Sequence, residues 1–244
     1  MTISQPNFEN TPKKLVLFDI DGTILLGGPL WKECFLSALH HYFPEFKFPK
    51  ISFSGKTDIQ ICREMMAQAQ FSAAEIENSM LKVVDLYIEK AHQESLRRTH
   101  EVTVLPGVRT LLEALRDHPD VLLGLLTGNV KKGADTKLGC VGLAQYFKVG
   151  VYGDDHWDRY QLPPMAVKRV QEHFGLTFSG KDIVIIGDTI HDVNCGKSIG
   201  VRSIAVGTGR NILKEDLLAH NPDYFFQDLS STQDILEAIL SDSK

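Results

Sequence analysis

The sequence predicts an α/β chain: a parallel sheet covered by helices on both faces, interrupted early by an all-helical insertion. Three observations carry this reading. Short apolar runs recur at 15–18, 121–126, 149–152, 183–186 and 202–206, and a strand buried on both faces needs a continuous run rather than an alternating one. Stretches with apolar residues at helical spacing separate these runs, which implies crossover connections and parallel pairing. Between the first two runs, from 27 to 102, the spacing stays helical throughout.

The elements follow in order. Residues 15–18 run directly into Asp19-Ile20-Asp21-Gly22-Thr23. Gly27-Gly28-Pro29 then lets the chain turn away. Helical spacing takes over at Leu30, Phe35, Leu36, Leu39 and Phe43, then at Ile59, Ile61, Met65 and Met66, then at Met80, Val83 and Val84. The stripe Leu36, Leu39, Tyr42 and Phe43 is expected inside the insertion. Phe53-Ser54-Gly55-Lys56-Thr57-Asp58 reads as a polar loop with a glycine bend, opening a helix at Thr57 or Asp58. After Pro106-Gly107-Val108, helices through Leu115 and Leu143, over 164–174, over 192–199 and over 232–239 alternate with the remaining strands. The expected division is a core of 14–26 with 103–244 and an inserted helical cap of 27–102.

Composition excludes several classes. The chain has 244 residues, 43% of them hydrophobic, enough for a sizeable core. A net charge of −5 supplies no basic field for nucleic acid or an anionic membrane surface. Cys34, Cys62, Cys140 and Cys195 are scattered without a paired spacing, so reduced thiols and a cytoplasmic location are expected. The polar stretch from Met1 to Pro12 lacks the apolar centre of a secretory signal, and no run approaches membrane-spanning length. Oligomeric state is left open.

The chemistry concentrates where strands end. Asp19 and Asp21 are two apart on extended chain and address one side, at the strand end where ligands bind in open α/β sheets. Converging carboxylates repel unless a proton or cation intervenes, and a hard divalent ion such as magnesium suits oxygen ligands. The competing reading is a turn cap, since Asp-Gly is a common turn signal. Two further signatures follow apolar runs: Leu126-Thr127-Gly128-Asn129 and Gly187-Asp188-Thr189-Ile190-His191-Asp192. Taken in order, the three resemble the haloacid dehalogenase-like hydrolase superfamily, in particular its phosphoglycolate phosphatase-like and β-phosphoglucomutase-like branch with a helical cap. The resemblance spans Lys14 to Leu240.

The resemblance implies a Rossmann-like core in which the runs beginning at Leu15 and Ile183 are neighbours. It also implies roles. Asp19 is the expected nucleophile, and Asp21 the acid and base whose backbone carbonyl also ligates magnesium; Asp188 completes the metal set, with Asp192 orienting ligands or waters behind it. Gly22 permits the turn and Thr23 offers a hydroxyl, while Thr127, Gly128 and Asn129 hold phosphate oxygens, with a plain helix cap as the alternative for Thr127. Many relatives place a Lys-Pro-x-Pro-Asp sequence before the fourth strand. This chain has Asp158-Arg159-Tyr160-Gln161-Leu162-Pro163-Pro164 instead, so Arg159 and Lys137 are the candidates for the active-site cation, a solvated surface position being the alternative for each, and Lys168 is expected on the surface. Lys56 and Thr57 are candidates to meet the leaving group, a simple helix cap being the alternative; His191 is expected at the surface. The implied activity is magnesium-dependent hydrolysis of a small phosphorylated metabolite through an aspartyl-phosphate. The alternatives are a phosphomutase and a catalytically silent binding protein on the same fold. An acid at position 21 favours phosphate esters, because the dehalogenating branch does not carry one there.

Overall fold

The structure, a computed structural model, describes residues 11–210 and 212–241. Most of the polar N-terminal stretch therefore lies outside the described residues, as do the last three of the expected core. In chain order the elements are β1 (Lys14–Phe18), β2 (Leu25–Leu26), α1 (Leu30–Tyr42), α2 (Asp58–Gln68), α3 (Ala73–Arg97), β3 (Thr103–Val104), α4 (Val108–Arg116), β4 (Val121–Leu126), α5 (Lys131–Val141), β5 (Val149–Val151), α6 (Leu162–Phe174), β6 (Ile183–Gly187), α7 (Ile190–Cys195), β7 (Arg202–Val206), α8 (Lys214–Ala219), β8 (Tyr224–Phe226) and α9 (Thr232–Leu240). The main sheet has six parallel strands in the order β5-β4-β1-β6-β7-β8. It is an α/β fold with helices on both faces.

β1 shows why the run is continuous. Leu15 and Leu17 join a cluster with Leu162, Ala166 and Val170 of α6 on one face. Val16 and Phe18 join Leu111, Leu115, Ile235 and Ile239 of α4 and α9 on the other. Every residue of the strand is buried, so no position can be polar without a partner; Lys14 reaches out to Asp182 at 2.6 Å. β1 lies between β4 and β6, with Phe18 opposite both Leu125 and Ile186. The adjacency expected for the runs at Leu15 and Ile183 is present, and the ends of three strands converge.

Helices α1, α2 and α3 share a separate apolar cluster built around Phe35, Leu39, Met65, Met66, Val83 and Tyr87, which also takes in Val130 from the loop before α5. Ser72 opens α3 with a reciprocal capping box to Glu75. The chain leaves for these helices at β2 and returns at β3, which pair antiparallel, Leu25 with Val104 and Leu26 with Thr103. No described helix is long and apolar enough to cross a membrane, and all four cysteines are free thiols.

Four expectations need correction. A sixth strand, β8, stands at the edge; three half-exposed residues leave too short an apolar run to read. Helix α8, of six residues, was likewise unexpected. The helix expected over 192–199 begins at Ile190 and stops at Cys195, because Thr189 and Asp192 form its capping box and a tighter turn, Lys197–Ile199, follows Gly196. Tyr42 is not interior: it is 41% exposed, while Leu39 of the same stripe is fully buried.

Candidate active site

Asp19 follows β1 directly, and its backbone N–H donates to the Ile186 carbonyl at 3.0 Å, extending the ladder to the first catalytic candidate. Its side chain is buried. Burial pushes the Asp19 carboxyl up to about 6; Arg159 opposes the shift, and Asp192 and Asp21 add to it. Asp188, at the end of β6, is raised well above its usual range by burial and by the nearby Asp192 and Asp19. Thr23 donates its hydroxyl to Asp188 Oδ1 at 3.1 Å. Gly22 has φ +87°, and a Cβ there would stand 2.3 Å from Asp188 Oδ2, so only glycine serves both the turn and the approach.

Asp21 lies to the side of this acidic centre. Its Oδ2 accepts from Lys137 Nζ at 2.6 Å and from Asn129 Nδ2 at 2.8 Å. Asn129 Nδ2 also donates to Thr127 Oγ1 at 2.8 Å, and Thr127 N–H continues the sheet to Val151 O at 3.1 Å. The two candidate cations thus occupy different places. Arg159 sits on a tight turn before α6, with Nη2 3.3 Å from Asp19 Oδ1 and 3.3 Å from the Leu126 carbonyl, and in a close ion pair with Asp192. Burial works against its charge, but Asp192 and Asp19 outweigh burial and hold it protonated. Lys137, equally buried, comes from α5 to Asp21, with its ammonium 5.2 Å from the Trp31 ring. The cation on Asp19 is Arg159.

Other candidates land differently from expectation. Lys56 faces the cavity but pairs with Glu64. Thr57 is fully buried: its hydroxyl donates to the Trp157 carbonyl at 2.6 Å and accepts from Gln60 N–H at the start of α2, so it is the helix cap that formed the alternative reading. His191 is not a free surface residue but half-buried at the seam, where a Cβ on Gly55 would stand 2.4 Å from its ring; burial lowers its pKa. Lys168 is on the surface, its side chain 76% exposed.

These groups line a cavity of about 310 Å³ between the strand ends and the helical insertion. Its far wall holds Asp58 from the polar loop, together with residues that local sequence did not point to: Trp31, Lys32, Phe35 and Tyr87 from the insertion, and Arg210 from the loop after β7. One carboxylate oxygen each of Asp19, Asp188 and Asp192 lies within 4.8 Å of the others. Such a buried acidic set fits a hard divalent cation. Asp21 enters the expected set through its backbone carbonyl, which leaves its carboxylate to Lys137 and Asn129. Asp192 is nearer, yet its own oxygens are held by Arg159 and by Thr189 N–H at 2.9 Å.

The shifted acids set a direction for pH dependence. Asp19 and Asp58, each raised from 3.8 to about 6, and Asp188, raised well above its usual range, bind more protons in the native than in the unfolded state, and these three acids outnumber His191, whose lowered pKa acts with the opposite sign. Stability of the metal-free protein should therefore fall as pH rises from about 4 through about 6 and beyond. Thermal melts in EDTA across pH 5 to 8 check this, and a melting temperature that climbs with pH would contradict it.

The chain is similar to known proteins in sequence and in fold. The profile of the haloacid dehalogenase-like hydrolase family matches residues 16–206. The chain is 26% identical over 228 residues to the pyrophosphatase PpaX of Anoxybacillus flavithermus, covering 91% of this chain and 95% of the relative. It is 26% identical over 224 residues to the protein of the same name from Halalkalibacterium halodurans, covering 91% and 95%. Among solved structures, a predicted phosphoglycolate phosphatase from Haemophilus somnus superposes with TM-score 0.66 at 21% identity, over 93% of this chain and 99% of that one. A hydrolase from Pseudomonas syringae gives 0.70 at 16%, over 93% and 99%. The chain belongs to the haloacid dehalogenase-like hydrolase family.

Proposed function

We propose that this hydrolase is a magnesium-dependent phosphatase that releases phosphate from a small phosphorylated metabolite through an aspartyl-phosphate on Asp19. The observation that carries the reading is the division of labour between two aspartates. Asp19 is buried with a guanidinium on its carboxylate, while Asp21 is partly open and held by an ammonium and an amide. An Asp19 oxygen attacks phosphorus as the bond to the leaving oxygen breaks, and Asp21 gives that oxygen its proton. Water then attacks the phosphoryl group, Asp21 takes its proton, and Asp19 and phosphate separate. Arg159 offsets negative charge on Asp19 and on the incoming phosphoryl oxygens. The amides of Gly128 and Asn129, with the Thr127 hydroxyl, follow the end of β4 and are the groups proposed to hold phosphate oxygens. When bound, magnesium would be held by Asp19 and Asp188, with Asp192 beside them and the Asp21 carbonyl added as family members have it, and it would neutralise charge on the phosphoryl group.

The curated relatives are named as pyrophosphatases, which adds inorganic pyrophosphate to the candidate substrates. A cavity of about 310 Å³ closed on one side by the insertion admits small esters and excludes a folded phosphoprotein. The test is phosphate release from pyrophosphate, phosphorylated acids, sugars and nucleotides, with and without magnesium. Metal-dependent release from at least one small substrate is expected. Release that persists in EDTA, or efficient dephosphorylation of a folded phosphoprotein, would contradict the proposal.

A further inference from the structure

Asp58 is a buried acid that the chemistry above does not use. It opens α2 in the insertion, only 7% exposed, yet both its polar ends reach the core. Its backbone N–H donates to the Gly128 carbonyl at 2.8 Å, and its Oδ2 accepts from Val130 N–H at 2.9 Å. One residue of the insertion therefore grips both ends of the segment Gly128-Asn129-Val130. The start of α5 relies on outside acceptors, because its N-cap, Val130, has no side-chain oxygen: Asp58 takes the Val130 N–H, and Asp154 Oδ1 takes the next amide, Lys131 N–H, at 2.9 Å. The approach is close enough to forbid a side chain: a Cβ on Gly128 would lie 2.1 Å from the Lys56 carbonyl oxygen. Thr57, one residue earlier, fastens the same strip of the insertion to Trp157.

What hangs on the gripped segment is the orientation of Asp21. Asn129 lies within it, and Lys137 is carried by the helix it begins; these are the two donors on Asp21 Oδ2. Burying a carboxylate is costly unless its hydrogen bonds are met. Here burial raises the Asp58 carboxyl to about 6, with Lys137 opposing the shift.

We propose that Asp58 is a positioning residue: by capping α5 from the insertion it couples docking of the helical insertion to the placement of Asn129, Lys137 and hence the proton-transferring Asp21. The inference rests on the phosphatase reading only for its kinetic consequence. Three variants separate its parts. Asp58→Asn keeps an acceptor at the same reach, Asp58→Glu keeps the charge but displaces the acceptor, and Asp58→Ala removes both. With the best small substrate found, Asp58→Asn should retain kcat within about threefold, while Asp58→Glu and Asp58→Ala should each lose about tenfold or more, with KM changing much less. Amide exchange, measured without substrate, should show the Val130 N–H losing protection in the Glu and Ala variants but not in Asn. Should the Ala variant fail to fold, the contrast between Glu and Asn decides alone. Unchanged kcat and protection in the Glu variant, or an Asn variant as impaired as Glu, would overturn the proposal. If protection changes as described while phosphate release does not depend on Asp19, the positioning contact stands and the phosphatase reading fails.

Discussion

Asp19→Asn is expected to abolish phosphate release, by on the order of 10⁴-fold or more as for loss of other covalent nucleophiles, without loss of the fold. The amide can neither attack phosphorus nor present a full negative charge to a cation. Nothing in the packing requires the charge. Asp19 is buried against two further acids, Asp188 and Asp192, and its own carboxyl is pushed up to about 6 by that burial. Replacing it relieves repulsion, and Arg159 keeps its ion pair with Asp192. The metal-free variant should therefore melt no lower than the parent in EDTA at pH 7.5. An inactive protein that is also strongly destabilised would point to a structural role instead, and substantial residual turnover would remove Asp19 as nucleophile.

Arg159→Ala is expected to damage both activity and stability. The guanidinium bridges Asp19, Asp192 and the Leu126 carbonyl in a buried site. Its removal forfeits a charge-assisted contact worth about 1.5–3 kcal/mol, or at least tenfold in rate. It also leaves two buried carboxylates without their partner, a change that costs about 3–5 kcal/mol where a buried pair is broken. Arg159→Lys separates the two effects: it should restore much of the stability, because a cation is again present, and less of the rate, because an ammonium lacks the planar fork. Lys137→Ala is the control on the other aspartate. Because Lys137 holds Asp21, its loss should lower kcat more than it weakens metal or phosphate affinity. A crippled Lys137→Ala beside a near-normal Arg159→Ala would reverse the assignment.

Much of this was legible because burial leaves a mark on composition. β1 and β6 are covered on both faces, so residues 15–18 and 183–186 are unbroken apolar runs, and the acids that follow stand out as the first charged positions after them. The pairing of the runs beginning at Leu15 and Ile183 came from resemblance, because continuous runs carry no register. β8 and α8 were missed for the opposite reason: three and six residues at an edge bury too little to impose a pattern. The choice between Arg159 and Lys137 could not be read, since it depends on where a tight turn and a helix face arrive in space. Asp58 illustrates the same limit. An acid in the first turn of a helix is ordinary, and only the packing of the insertion against the loop before α5 shows that it serves another helix as well as its own.

The antiparallel pair β2 and β3 bears on how the chain tolerates change. Leu26 and Thr103 face each other where the helical excursion begins and ends, so 76 intervening residues, numbered 27 to 102, close on a gap that two strands already span. To the sheet, the excursion is equivalent to a hairpin loop of any length. Loop-closure entropy grows only logarithmically with length, so additions or deletions at the outer turns of the helices leave the register of β1 against β4 untouched. The constraint on such changes is set elsewhere, by the few residues that must still reach the strand ends. Under the proposed function, the core is a fixed socket for the excursion, and a change of substrate choice made there need not alter the chemistry beneath it.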